Sequence, residues 1–404
     1  MKIAIYHNLP SGGAKRALYE TMKRLCAKHE FHVYTLSTAD HEFSDIRPYC
    51  YNHKIYDFDP LPLLRSPLGR LNQLMRSIDL ARIQKVEKRV AADIEAGEYD
   101  LVYVHPCRFE NSPSVLRYLN RFPTLFFCQE PLRILYEQMP ERPYDRRDST
   151  TKRILNRIDP LPGLYYRTLR NNDLRNIHNA SCVLVNSEFM KEAVSAIYGV
   201  DPEVSYLGVD IEFFHPNGAA KQDFLLSVGS LTPLKGFDFI IRALAHIPPA
   251  MRPPLKIISN FANPQEKEYL EDLGHRLGID LEISTGVSEE GLRTAYNQAA
   301  LTVYAPIREP FGLVAIESMA CGTPVVAVRE GGIQETVVDG SAGRLISRDE
   351  GMFAEIVQGL LADPARREEL GRHGRSLVET TWSWDLAVER LEASFRYLGQ
   401  HQSQ

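Results

Sequence analysis

The chain has 404 residues, of which 44% are hydrophobic and 25% are charged, and its formal net charge is -5. This length is more than one typical domain needs and suits two domains with separate cores, and no stretch approaches the 18 apolar residues of a membrane-spanning helix. The six cysteines show no CxxC or Cys/His spacing, which argues against a zinc site or a disulfide framework and favours a reducing cytoplasm.

The first half of the chain alternates apolar strands with helices. The βαβ order of strand, glycine loop, helix and strand at the N-terminus predicts a parallel sheet. Strands are expected at Lys2–Tyr6, His32–Leu36, Leu101–Val104, Thr124–Phe127 and Cys182–Val185, with the first helix running from about Ala14 to Ala27.

A second alternating series follows the segment Val204–Pro216, which we interpret as a strand that leaves one domain and a linker that enters another. Two successive open α/β sheets with a ligand in the cleft between them are the simplest architecture for this order. Strands are expected at Phe224–Val228, Leu255–Ile258, Leu281–Ile283, Leu301–Tyr304 and Pro324–Ala327.

Two glutamates frame the segment Glu309-Pro-Phe-Gly-Leu-Val-Ala-Ile-Glu317. We expect Pro310–Leu313 to turn from strand into helix, where free backbone N–H groups favour an anion such as a diphosphate. The spacing of a little over two helical turns lets both carboxylates face one crevice. Carboxylates are better acceptors for sugar and ribose hydroxyls than ligands for phosphate.

Together with the following Ser318-Met-Ala-Cys-Gly-Thr-Pro-Val-Val326, this segment resembles the paired-glutamate motif of retaining glycosyltransferase family 4. The resemblance implies the GT-B fold, in which two Rossmann-like α/β domains face each other across a cleft. It places an acceptor-binding domain at residues 1–205 and a donor-binding domain at 206–382, with a last helix at 383–400 that rejoins the first domain.

The resemblance also assigns roles within the motif. Glu309 would contact the donor sugar and Glu317 the ribose. The residues implied to bind the diphosphate between them are Phe311, Gly312, Leu313 and Val314.

A second segment that indicates binding of the nucleotide-sugar donor is Ser227-Val-Gly-Ser-Leu-Thr-Pro-Leu-Lys-Gly236. Lys235 would offer a compact positive charge to the leaving diphosphate. Members of the resembled family usually have Gly-Arg-Leu where this chain has Gly229-Ser230-Leu231. Either Ser230 contributes only a hydrogen bond, or another cation substitutes, and Lys15 and Arg16 of the opposing domain are candidates.

The loop Ser11-Gly12-Gly13 resembles the family loop that approaches the donor phosphates and the acceptor, so Gly12 and Gly13 are expected in the donor site. Where the family commonly places a catalytic His, this chain reads Gln129-Glu130. We therefore consider two catalytic candidates: His105, which ends the preceding strand, and Glu130, which can accept a proton from the acceptor. For His105 the alternative is a structural role.

No essential metal or cofactor is expected. The pair Asp57 and Asp59 could be mistaken for the metal-binding acids of GT-A enzymes, but it precedes Pro60 in the wrong domain context, so we expect a loop.

Charge is unevenly divided: residues 1–200 hold 29 basic and 23 acidic residues, and the remainder holds 18 and 29. An apolar stripe at Leu68, Leu71, Met75 and Ile78 predicts an amphipathic helix, which either rests on anionic lipid or packs into the core. Basic residues near the stripe and farther on are Arg65, Arg70, Arg76 and Arg82, then Arg142, Arg146, Arg147, Lys152, Arg153 and Arg157. Nothing in this pattern points to nucleic acid.

We therefore expect a retaining hexosyltransferase that moves a sugar from a UDP-, GDP- or ADP-linked donor to an acceptor hydroxyl in glycolipid, polysaccharide or other glycoconjugate biosynthesis. It would act in the cytoplasm or at the inner face of the membrane. The alternatives are a synthase with a small sugar-phosphate acceptor, a nucleotide-sugar epimerase on the same fold and a non-catalytic nucleotide-sugar-binding protein. A Rossmann oxidoreductase is disfavoured because Ser11-Gly-Gly-Ala-Lys-Arg16 is not a GxGxxG loop.

Overall fold

A computed structural model of the protein describes residues 1–64, 68–146 and 159–400, except for the side chains of residues 68, 70, 145 and 146. Within these residues the chain forms two parallel sheets. The first has the order β3-β2-β1-β4-β5-β6-β7. Its strands are Lys2–Asn8 (β1), Glu30–Leu36 (β2), Asn52–Tyr56 (β3), Leu101–Cys107 (β4), Thr124–Phe127 (β5), Cys182–Val185 (β6) and Glu203–Val204 (β7).

The second sheet has the order β10-β9-β8-β11-β12-β13, and every pairing in both sheets is parallel. Its strands are Gln222–Val228 (β8), Leu255–Ser259 (β9), Leu281–Thr285 (β10), Ala299–Tyr304 (β11), Val325–Val328 (β12) and Gly343–Ile346 (β13). The central strands are buried almost throughout because helices cover both faces.

Helices of the first sheet's half are Gly13–Leu25 (α1), Asn72–Glu95 (α2), Arg133–Tyr136 (α3), Pro160–Ile177 (α4) and Glu188–Tyr198 (α5). Those that follow are Phe237–Ala245 (α6), Pro264–Leu277 (α7), Glu289–Gln298 (α8), Leu313–Ala320 (α9), Ile333–Thr336 (α10), Glu350–Ala362 (α11), Pro364–Thr381 (α12) and Trp384–Gln400 (α13). Short 3-10 turns lie at Arg47–Tyr49, Leu68–Leu71, Ser114–Tyr118, Pro143–Arg146, Pro233–Lys235 and Pro249–Met251.

The predicted two-sheet α/β architecture is confirmed, as are the strands on which it was based. The sequence did not predict β3 or β13. Both are short edge strands, and β3 reads Asn-His-Lys-Ile-Tyr, which lacks the continuous apolar run of a central strand.

Two chain segments connect the halves, and they lie side by side. Val209 pairs with Ser383 in a parallel bridge, and its N–H donates to the carbonyl of Trp382 at 2.8 Å. A Cβ atom at Gly208 would stand 2.6 Å from the Trp384 nitrogen, so only glycine allows this approach. After this crossing, α13 packs on α1 and β4 of the first half.

The carboxyl edges of the two sheets face each other. The loop after β1 leads into α1, and an added Cβ at Gly13 would stand 3.2 Å from Cδ1 of Leu313, the first residue of α9. The N-termini of α1 and α9 therefore meet between the sheets, where open α/β folds bind their ligands.

Candidate active site

The segment from Glu309 to Leu313 turns into α9 as predicted. Gly312 takes φ +104°, and a Cβ there would stand 2.9 Å from Ile333, so this turn requires glycine. The first backbone N–H groups of α9 have no acceptor within the helix and point into the region between the sheets. This end of α9 carries a partial positive charge suited to an anion.

Lys235 and Glu309 form an ion pair, with 2.8 Å between Nζ and Oε2. Lys235 ends the 3-10 turn after β8, and the following Gly236 lies so close to Ala305 that a Cβ would stand 2.0 Å from the Ala305 carbonyl oxygen. Burial and the adjacent Glu309 carboxylate together raise the pKa of the Tyr304 hydroxyl. The two predicted donor residues are thus held together by separate loops of the second sheet.

Glu317 is buried and is the fifth residue of α9. It accepts hydrogen bonds from the Tyr296 hydroxyl at 2.9 Å and from Arg16 Nη1 at 2.8 Å. Burial raises the pKa of Glu317, and the charge of Arg16 opposes that shift. Arg16 also donates to Glu289 at 2.5 Å, so one arginine of the first half bridges two carboxylates of the second.

The two candidates for the missing phosphate cation occupy different places. Arg16 reaches across to the Glu317 side of the cleft, whereas Lys15 is buried within the first half, with 1% of its surface exposed. Ser230 lies in the loop after β8, where its carbonyl accepts a hydrogen bond from the Thr232 N–H. The geometry favours Arg16 as the second cation near the donor region.

Gly12 and Gly13 lie at the start of α1. Gly12 takes φ +142°, a conformation that L side chains rarely adopt, and Gly13 contacts Leu313 as described above. Phe311 is buried, with its ring against that of Trp382 at 5.6 Å between centroids, so its side chain faces the core. Val314 is the second residue of α9.

The two catalytic candidates differ in access. His105 is fully buried, with its ring 4.4 Å from that of Tyr103, and burial lowers its pKa to about 3. Glu130 follows β5 and its side chain is accessible to water, yet the surrounding protein atoms raise its pKa, and the nearby Glu309 carboxylate adds to the shift. Since Lys235 also acts on its pKa, Glu130 lies near the Lys235–Glu309 pair.

The segment after β5, which contains α3, makes contacts with the second half that the sequence did not predict. Arg133 donates to the carbonyl of Ile307 at 2.8 Å, and Glu137 lies 2.8 Å from Arg133 and 3.3 Å from Arg308. Arg308 takes φ +48°, an uncommon conformation for a residue other than glycine.

Arg142 forms the most buried of these contacts. Its guanidinium donates to both carboxylate oxygens of Asp238 at 3.0 Å and to Glu266 at 3.0–3.2 Å, and the Tyr144 hydroxyl donates to Glu266 at 2.7 Å. A third contact joins the halves near the linker, where Glu335 accepts from the N–H groups of Glu188 and Phe189 at 2.9 and 3.0 Å. No local sequence signal marks these pairs because their members are 96 to 147 positions apart.

The predicted apolar stripe is exposed in part. Leu71, which ends the 3-10 turn before α2, and Ile78 keep 38% and 40% of their surface accessible, whereas Met75 is partly buried. Leu74, which the stripe did not include, is 41% exposed beside them. Arg76 and Arg82 both pair with the buried carboxylate of Asp79, at 3.2 and 2.8 Å. Outside the described residues lie Arg65, Arg147, Lys152, Arg153 and Arg157, together with the side chains of Leu68, Arg70 and Arg146.

Asp57 and Asp59 lie in a loop, as expected. In the described ranges no three His, Cys, Asp or Glu side chains are grouped so as to hold a metal ion. None of the described helices combines the length and apolarity needed to cross a bilayer.

Comparison with protein families gives two matches that together span most of the chain. Residues 11–213 match the model of Glycosyltransferase Family 4, and residues 209–377 match that of Glycosyl transferases group 1. The boundary between the two matches falls in the linker that pairs with Ser383.

Among curated relatives, a D-inositol 3-phosphate glycosyltransferase of Mycobacterium avium is 30% identical over 243 residues, which are 54% of this chain and 55% of the relative. One of the same name from Thermomonospora curvata is 36% identical, over 48% of this chain and 52% of the relative. The match thus spans about half the length of each relative.

Solved structures of the same fold cover nearly the whole chain. A sucrose-phosphate synthase from Thermosynechococcus elongatus superimposes with a TM-score of 0.73 at 23% identity, over 98% of this chain and 99% of the other. Anabaena Alr3699/HepE, solved in complex with UDP and glucose, superimposes with a TM-score of 0.68 at 21% identity, over 98% of this chain and 100% of the other.

Proposed function

Because the chain belongs to glycosyltransferase family 4, we propose that it transfers a sugar from a nucleoside-diphosphate sugar to an acceptor hydroxyl with retention of the anomeric configuration. The observation that carries this proposal is the meeting of the α1 and α9 N-termini between the Lys235–Glu309 and Arg16–Glu317 ion pairs. Two helix ends and two cations suit a diphosphate, and carboxylates on either side suit hydroxyl groups.

Each residue of the proposed site for the nucleotide-sugar donor then has a defined role. Glu317 accepts the ribose hydroxyls, Glu309 accepts hydroxyls of the transferred sugar, and the N–H groups at the start of α9 bind the diphosphate. Lys235 stabilises the charge that grows on the leaving diphosphate. Arg16 supplies the second phosphate cation that Ser230 does not, by turning from Glu317 towards the diphosphate.

In the proposed reaction the acceptor oxygen attacks the anomeric carbon from the face that the diphosphate leaves. The bond between that carbon and the phosphate oxygen breaks, the diphosphate keeps the electron pair, and the acceptor proton passes to a departing phosphate oxygen. This route needs no enzyme nucleophile. Glu130, whose pKa is raised near the Lys235–Glu309 pair, orients the acceptor hydroxyl, while the catalytic role of His105 stays a prediction that its burial does not favour.

The proposed reaction uses no divalent metal because Lys235, Arg16 and the helix ends provide the positive charge. We propose that the protein acts in the cytoplasm, at the inner face of a membrane, where the exposed α2 stripe contacts lipid and the acceptor belongs to a glycolipid or polysaccharide pathway. The names of the curated relatives favour a second candidate, transfer to a small sugar-phosphate acceptor.

The test is a thermal-shift screen with UDP-, GDP- and ADP-linked sugars, followed by proton NMR of the first sugar product in excess EDTA. We expect one donor class to raise the melting temperature and the product to keep the anomeric configuration of the donor. Inversion, or activity that EDTA abolishes and magnesium restores, would contradict the mechanism. Binding without hydrolysis or transfer, with acceptors of both candidate classes supplied, would identify a non-catalytic binding protein.

A further inference from the structure

One face of the first sheet carries a row of polar side chains beneath the start of α1. His7 on β1 pairs in register with Thr35 on β2, and His105 follows Tyr103 on the neighbouring β4. Side chains alternate along a strand, so His7 shares the face of Ile5, which packs in one core cluster with α1. The row therefore lies between the sheet and α1.

The polar atoms of this row are buried and lack partners. His7 Nε2, Thr35 Oγ1 and both ring nitrogens of His105 have no hydrogen-bond partner among the described residues. Buried polar atoms are nearly always paired, because leaving one unpaired costs about 1–3 kcal/mol. The Leu9 N–H points at His7 Nδ1 from 3.4 Å, so neutral His7 carries its proton on Nε2 and offers a free donor.

Lys15 adds a buried cation to the same region. It is the third residue of α1, its surface is 1% exposed, and no ion pair or hydrogen bond reaches its ammonium within the described part of the chain. Burial lowers its pKa to about 8, which leaves it mostly charged at pH 7. Its charge helps to lower the pKa of both His7 and His105, which places all three groups close together.

Two carboxylates lie near Lys15, but each is engaged elsewhere. Asp40 Oδ1 accepts from the N–H groups of Glu42 and Phe43 at 3.0 and 2.8 Å. Asp45 is held by Arg47 in a two-point contact at 2.8 and 2.9 Å. Neither carboxylate approaches the Lys15 ammonium to ion-pair distance, so the positive charge keeps no counterion among the described side chains.

We propose that Lys15 and His7, which lie between the first sheet and the start of α1, form an anion subsite in the first domain that binds a phosphoryl group of the acceptor. This inference rests on the proposed function and adds the chemical class of the acceptor. Lys15 and Arg16 are consecutive on α1 and therefore point about 100° apart. Arg16 faces the donor-binding side of α1. Lys15 faces the first sheet, where it binds a second anion.

The loop before α1 leaves room for that group. A Cβ atom added to Gly12 would meet no atom within 4 Å, so open space lies beside the helix start. Lysine side chains near the start of a helix lean towards its N-terminus, which directs the ammonium to the same end as the free backbone N–H groups. The Lys15 cation and the His7 donor thus act on one anion.

The test uses inorganic phosphate as the probe, with the donor side first saturated by UDP. The melting temperature and the ³¹P linewidth of phosphate are measured against sodium chloride of equal ionic strength. We expect phosphate to raise the melting temperature of the parent still further. Lys15→Met should require about tenfold or more phosphate for the same rise, since a charged hydrogen bond is lost. The matched control is Lys267→Met, an exposed lysine on α7, which should behave like the parent.

Lys15→Met should also melt no lower than the parent without phosphate, because it removes a buried cation that has no counterion. If it fails to fold, Lys15→Gln carries the same comparison. An equal phosphate response in parent and variant, or no response in the parent, would overturn the proposal. Loss of the parent's response once UDP is present would assign the anion to the donor's diphosphate position instead. The UDP shift measured without phosphate tests the proposed function separately.

Discussion

Glu317 holds two partners from opposite sides, Tyr296 from its own half and Arg16 from the other. In the proposed donor complex, a ribose takes the place that Arg16 leaves at this carboxylate when it turns towards the diphosphate. The residue therefore links nucleotide binding to the position of a cation on the opposing helix. Because Glu317 is buried, water does not compete for its carboxylate, and each hydrogen bond that it accepts is stronger than at the surface.

Glu317→Ala should weaken binding of the donor nucleotide by about 1–3 kcal/mol, the scale of hydrogen bonds to a charged group. Isothermal titration with the nucleoside diphosphate measures this loss. Glu289→Ala is the matched control, since it removes the other, more exposed partner of Arg16 and should change affinity less. Equal affinity of folded Glu317→Ala and parent would disprove the ribose assignment.

Lys235 and Glu309 are expected to matter more for turnover than for stability. Their ion pair is partly exposed, so breaking it costs little stability. In the proposed mechanism, by contrast, Glu309 orients the sugar and Lys235 stabilises the leaving diphosphate. Glu309→Gln and Lys235→Ala should each melt near the parent and lose transfer by about 10²-fold or more. Steady-state kinetics with the screened donor check this, with Lys267→Ala as the control. Retained activity in either variant would require a different donor geometry.

At the scale of secondary-structure elements, the sequence predicted best those features that neighbouring residues determine. The Pro310–Leu313 turn needs glycine at position 312 and opens a helix, so both features follow from neighbouring residues. The pairing of Arg142 with Asp238 and Glu266 depends on how the two halves come together, and no pattern within one element encodes it. The stripe of α2 shows the same limit, since helical spacing predicts an apolar face without saying what covers it.

Within the described residues, Leu71, Leu74 and Ile78 keep about two-fifths of their surface accessible. We expect the protein to bind vesicles that contain anionic lipid, and binding should fall as salt rises because screening acts over about 10 Å at 0.1 M. Vesicle co-sedimentation measures both effects. Leu74→Glu combined with Ile78→Glu should abolish binding, whereas Met251→Glu, an exposed apolar residue of the second half, should not. Binding that survives the double substitution would place the lipid contact elsewhere.

At the scale of the whole molecule, four groups of contacts described above join the halves around the site. They are the Arg16 bridge near α9, the contacts of Arg133 and Glu137 with Ile307 and Arg308, the Arg142 contact on α6 and α7, and the cap that Glu335 places on α5. All four use ionic or charge-assisted hydrogen bonds. If the two halves move relative to each other, these buried ionic contacts must therefore break and be replaced by others.

Arg142→Met should destabilise the protein by about 3–5 kcal/mol, because Asp238 and Glu266 would lose their shared buried cation. Denaturant unfolding measures the loss, and small-angle scattering should show an increased radius of gyration as the halves separate. Arg372→Met is the control: this arginine is exposed, and its ion-pair partner among the described residues is Glu368 of its own helix, so stability should change by less than about 0.5 kcal/mol. An unchanged radius of gyration in Arg142→Met would show that the other contacts are sufficient to hold the halves together.

The packing of α13 on the first half sets the order in which the protein can fold during synthesis. Trp384, Leu391 and Phe395 fill the core beside α1 and β4, yet a ribosome makes them after the whole second sheet. The first sheet is therefore synthesised with an exposed apolar groove, because α13, which covers this groove, is synthesised later. Nascent chains generally fold domain by domain, and surface exposed in the meantime invites aggregation. The first half should therefore be prone to aggregation until α13 emerges, and the two halves should reach the native state together.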